Sequence, residues 1–157
     1  MTRTRPAICL ALNGAALMLA GLFVGAAIPA VPYPRLMLTA HSGFTNSGLI
    51  SMVAAVLLSS SLWSLPSRAA SVVVWAHVAL WFMCLAEVAA AFWGTTRVLR
   101  IAGSQAGATG GAPWQETIVT ICHALPALAL IVAWTLLAWG VWRVFRNDRA
   151  DSTGSVA

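Results

Sequence analysis

Long apolar runs separated by short polar segments divide the chain into four stretches, roughly Ala7 to Ile28, Leu36 to Trp63, Ala69 to Trp93 and Gln115 to Trp142. Crossing a bilayer as a helix takes about 20 apolar residues. The pattern therefore predicts an all-α, integral membrane four-helix bundle, with residues 1–147 as a single transmembrane domain. The polar end, 148–157, contains DSTGSVA and reads as a disordered C-terminal tail. The first run follows Arg3 and Arg5 and ends in AAIPA, as a secretory signal does. Its apolar core of about 22 residues exceeds the 7 to 15 of a signal peptide, so it is kept as a helix. Gly14, Gly21 and Gly25 fall on one stripe of that helix, and the GxxxG they include lets a neighbouring helix approach closely.

Composition agrees with this frame. Of the 157 residues, 60% are hydrophobic and 8% charged, far from the soluble average. The net charge of +5 comes from arginines placed one to three at a time between apolar runs, a topology signal and not a nucleic-acid surface. Arg3, Arg5, Arg68, Arg143, Arg146 and Arg149 share one side, and Arg35, Arg97 and Arg100 the other, which favours both termini in the cytoplasm. Trp63, Trp93, Trp114, Trp139 and Trp142 lie at predicted helix ends as an aromatic belt. Cys9, Cys84 and Cys122 lack CxxC or CxxCH spacing, so they read as free thiols. The connection from Gly94 to Pro113 is long and glycine-rich but lacks the GK[ST] of a phosphate loop. Its VLRIAG segment suits a surface helix or a lid.

Polar residues inside the apolar runs are the candidate chemistry, because each is costly in lipid unless it faces a partner, a ligand or a cavity. His41 begins a polar stretch, AHSGFTNSGLIS, that includes Asn46 and Ser47. His41, Glu87 and His123 all count inward from the same side, and at 1.5 Å per residue they lie about 8 to 12 Å below it, in one layer. A carboxylate near the bilayer centre costs on the order of 3 kcal/mol, so Glu87 either pairs or takes up a proton, and a carboxylic acid there is a usable general acid. The bland alternatives are a neutral Glu87 hydrogen-bonded between helices and an imidazole of His123 bonded to a carbonyl freed by Pro126. His77 reads as a satisfied core histidine, and Glu116 as a first-turn acid answering the helix dipole. A neutral imidazole in a dry bundle is also an axial haem ligand. No HExxH or CxxC run points to zinc.

The segment PRLMLTAHSGFTNSG, the later AEVAAAFWG and the PWQE before the last helix resemble, across most of the chain, the small membrane isomerases called hydroxylaminobenzene mutases. AHSG around His41 is also similar to the corresponding stretch of styrene oxide isomerase, a related four-helix membrane protein. The resemblance implies a homotrimer that holds haem b through His41, with the iron as Lewis acid. It further implies rearrangement of a small hydrophobic aromatic, foremost an aryl hydroxylamine to an ortho-aminophenol. Three departures stand out. The relatives carry an asparagine six residues after the motif histidine, where this chain has Ser47 with Asn46 one place earlier. A third-helix asparagine appears here as Glu87, and the tyrosine of styrene oxide isomerase aligns with Ala91.

The leading expectation is thus a bacterial inner-membrane isomerase of aromatic-compound degradation. Haem b would sit on His41, and Glu87, Asn46 and Ser47 would be catalytic. Phe44, Trp81, Phe92 and His123 would line the substrate pocket, with plain packing as the competing account of the aromatics. The alternatives are an epoxide isomerase giving an aldehyde, a bis-histidine b-haem electron-transfer protein using His41 and His123, and a structural membrane protein without a cofactor.

Overall fold

A computed structural model describes residues 5–64 and 66–154; Arg3, Leu65 and the last three residues lie outside it. The helices are α1 (Arg5–Ala26), α2 (Pro34–Ser59), α3 (Ser67–Val78), α4 (Leu80–Trp93), α5 (Arg100–Gln105) and α6 (Pro113–Gly154). Four segments are long and apolar enough to cross a membrane: α1, α2, α3 with α4, and α6 to Arg149. The chain is an all-α membrane bundle. Its two ends are called here the terminal end and the loop end, the latter carrying residues 94–112.

Local chemistry places the boundaries. Pro34 and Pro113 occupy the first helical position, where the missing N–H costs nothing. Gly94 closes α4 in the left-handed region (φ 65°), its N–H donating to Ala90 O at 2.9 Å. Gln115 reaches back to the N–H of Ala112 at 2.7 Å, half of a capping box for α6.

The helices differ from the sequence expectation in two places. The third span is not one helix over 69–93: it breaks at Ala79. There the Asn13 side-chain amide donates to His77 O at 3.3 Å, while the Trp81 indole donates to Asn13 Oδ1 at 2.9 Å. A polar side chain from α1 thus occupies a carbonyl at the break. The last helix does not stop at Trp142 but runs to Gly154, so 148–154, expected in a disordered tail, are helical. No Gly or Pro interrupts 141–153, and Arg149 stacks over the Phe145 ring one turn earlier, 4.4 Å from its centroid.

Packing places α2 against α1 along its length and against α4 on another face, with α6 on the far side of α4 and against α3. The glycine stripe of α1 faces α2 as expected. A methyl at Gly14 would meet Gly48 O at 2.8 Å, and one at Gly25 would meet His41 Nδ1 at 2.8 Å. The terminal half is filled by Leu10, Ala54, Leu58, Val73, Ala133 and Leu137. At the loop end, α5 folds over the bundle so that Ala102 packs with Leu36, Met37, Ala40 and Ala91. The VLRIAG segment is therefore a covering strap. Glu116, 6% exposed, holds it by accepting N–H donors from Thr96 (2.9 Å), Arg97 (3.0 Å) and Gly111 (3.1 Å).

Candidate functional site

His41 lies on the α1-facing side of α2. Its Nδ1 stands 2.7 Å from Gly21 O, and the ring rests against Gly25. A carbonyl can only accept, so Nδ1 carries the proton and Nε2 presents a lone pair. Among the described residues that lone pair has no partner.

Glu87 and His123 do meet. His123 Nδ1 donates to Val119 O at 2.8 Å, and Nε2 faces Glu87 Oε1 at 3.4 Å. The carbonyl released by Pro126 is that of Cys122, so the imidazole is not filling that gap; it bonds its own preceding turn. With Nδ1 already a donor, one proton must lie between Nε2 and Oε1, either on the acid or on the imidazole. The side chains are 9% and 14% exposed. Glu87 Oε2 is buried without a partner and presses against Gly43 of α2. Only a residue without a side chain leaves room for it there.

These contacts bear on the layer expected from sequence. Gly43 touches Glu87, Glu87 touches His123, and His41 is two residues from Gly43. The three polar groups therefore share a depth. They do not share a pocket: two residues along a helix turn about 200°, so His41 faces α1 while Glu87 lies against the opposite side of α2.

The remaining candidates scatter. Ser47 is buried at 2% exposure and accepts from Cys84 Sγ at 3.5 Å, while Asn46 is exposed on the flank of α2. Phe44 is core, edge-on to Trp81 at 5.7 Å, and the Trp81 indole is engaged by Asn13. Phe92 is 53% exposed on the surface of the bundle. Phe44 and Trp81 pack with Leu17 and Cys84 in one core cluster. Ala91 is fully buried among Leu36, Met37 and Ala40, with no hydroxyl to offer.

Sequence reasoning passed over Asn13, whose amide also donates to Ser51 Oγ at 3.4 Å. The signal was present, a lone amide within an apolar run. His77 is only half satisfied: Nδ1 bonds Val73 O at 2.8 Å, but the buried Nε2 has no partner. Also missed was an apolar cleft of about 410 Å³ between α4 and α6, lined by Phe82, Cys122, Leu125 and Pro126 among others; neither Glu87 nor His123 is among its lining residues.

A family model described as styrene oxide isomerase matches residues 8–142, most of the chain and all four spans. The chain belongs to the styrene oxide isomerase family. It is accordingly a membrane isomerase, which sets aside the electron-transfer and structural alternatives. Neither a curated protein nor a solved structure matches it.

Proposed function

We propose that this membrane isomerase rearranges a small hydrophobic aromatic by shifting one oxygen, with an aryl hydroxylamine going to an ortho-aminophenol as the reaction. The observation that carries the reading is the buried Glu87–His123 pair, which holds one proton between its facing atoms in the layer of His41. In the rearrangement a proton delivered to the hydroxylamine oxygen weakens the N–O bond. The oxygen re-forms its bond at the ortho carbon and gives up its extra proton. The ortho carbon loses its own proton as the ring regains aromaticity, and the nitrogen takes up a proton to become the amine. Two protons taken up match two released, and the pair is restored. Atoms balance and no external electrons enter. Glu87 is the proton donor and acceptor, and His123 holds the carboxyl group in place and shares its proton. The cleft between α4 and α6 falls in the size range of small-molecule sites and is lined by apolar side chains, which suits a substrate that arrives from the bilayer.

His41 fits an axial haem b ligand. A histidine that ligates a metal donates its other ring N–H to a carbonyl or carboxylate, as His41 does to Gly21 O. His123 is committed to Glu87, so a second axial histidine is not part of the reading. When bound, haem supplies a Lewis acid toward a substrate oxygen. His41 and Glu87 stand on opposite sides of α2; from the family resemblance the proposal also takes a homotrimer, in a bacterial inner membrane with both termini cytoplasmic. The match to a styrene oxide isomerase model favours a second reading, an epoxide opened to an aldehyde by the same pair. The purified protein incubated with phenylhydroxylamine and with styrene oxide decides between them by product analysis. Turnover of the first that is lost in Glu87→Gln supports the proposal, whereas turnover of neither substrate overturns it.

A further inference from the structure

Topology rules disfavour positive charge on the translocated side of a membrane protein. In the orientation proposed above, that side still carries Arg35, Arg97 and Arg100. The three do not act as separate flanks. They line one cleft of about 630 Å³, together with Val98, Leu99, Ile101 and Ala102. No carboxylate lines it. Glu116, the acid of the same loop system, offsets part of the Arg97 charge, but its oxygens are occupied by three backbone N–H groups. Arg35 donates its Nε to Gln105 Oε1 at 2.7 Å, and its two terminal nitrogens have no partner among the described residues. A concentrated cationic cleft of this kind needs an anion.

We propose that this cleft binds the phosphate of an anionic phospholipid headgroup, which clamps the strap against the membrane. Guanidinium groups match phosphate by paired N–H donors. Two observations select a lipid over a free phosphate. Ile101 on α5 is 76% exposed and Val98, just before that helix, 37% exposed beside the arginines, so the strap itself offers hydrocarbon to the acyl boundary. Trp93 and Trp114, packed edge to face at 5.2 Å, lie at the ends of α4 and α6 that flank the strap and mark the headgroup level.

The test is native mass spectrometry of the full-length protein in detergent, titrated with phosphatidylglycerol, phosphatidylcholine or inorganic phosphate. Each basic side chain near an anionic lipid surface contributes about fivefold in affinity. Phosphatidylglycerol should therefore bind at least tenfold better than phosphatidylcholine, with affinity falling steeply as salt rises. The Arg97→Ala/Arg100→Ala double variant should lose about 25-fold. Arg68→Ala, at the terminal end, should lose nothing, and Arg97→Lys/Arg100→Lys should recover most of the binding. Circular dichroism checks that each variant is folded, and the salt series on the unaltered protein tests the claim without any variant. Equal binding of the two lipids, binding indifferent to salt, retention in a folded double-alanine variant, or displacement of the lipid by an equal concentration of inorganic phosphate would each overturn it.

Discussion

Gly43→Ala isolates the closest contact of the candidate site. A methyl group there would overlap the Glu87 carboxylate, and Glu87 atoms are the three nearest neighbours of that position. Overpacking of this kind costs about 1–3 kcal/mol. Alanine in place of glycine returns up to about 1 kcal/mol through helix propensity. The net expectation in the unaltered background, with the full propensity gain, is a loss of about 0–2 kcal/mol, read from unfolding in mixed detergent micelles followed by circular dichroism. In a Glu87→Ala background the obstruction is gone and only the propensity gain remains, so the same substitution should become neutral or stabilising by up to about 1 kcal/mol. The coupling between the two positions is then about 1–3 kcal/mol, within what double-mutant cycles resolve. If Gly43→Ala costs the same in both backgrounds, Glu87 does not lie against α2 as described, and the geometry of the proton pair fails with it.

Three further outcomes follow from the same contacts. Glu87→Gln, which keeps the shape but cannot carry the exchangeable acid proton, should lower turnover of phenylhydroxylamine by about 10²–10⁴ while the protein stays folded; unchanged turnover would remove Glu87 from the chemistry. Asn13→Leu deletes three interhelical hydrogen bonds, two at the break between α3 and α4 and one to Ser51 of α2, and at about 0.6 kcal/mol each the loss is about 2 kcal/mol of stability, checked by the same unfolding assay. Glu116→Ala removes the acceptor of three backbone N–H groups, so hydrogen exchange at Thr96, Arg97 and Gly111 should accelerate at least tenfold, with amides at the centre of α2 unaffected.

The number and order of membrane spans were legible because lipid imposes a coarse, redundant pattern of about 20 apolar residues per crossing. The shared depth of His41, Glu87 and His123 was legible for a related reason: rise per residue is fixed in a helix. Which way each side chain faces was not. His41 turns to α1 because Gly25 leaves space for an imidazole and Gly21 O accepts its proton. Glu87 turns to the other side of α2 because Gly43 admits it. Those choices depend on small residues in a neighbouring helix, which the periodicity of one helix does not encode. The break at Ala79 was hidden likewise, since its cause, Asn13, lies 66 residues away in sequence. The strap was readable as a segment, but its fastening was not: Glu116 serves three backbone donors, so a first-turn acid is also a clasp.

The proposed haem rests on His41 offering an unshared Nε2 lone pair beside the Glu87–His123 pair, and the absorption spectrum of the detergent-purified protein beside its His41→Ala variant tests that most directly. A Soret band in the unaltered protein that is lost or shifted in a folded variant is the expected result. No Soret band at all, or the same band in both proteins, contradicts it.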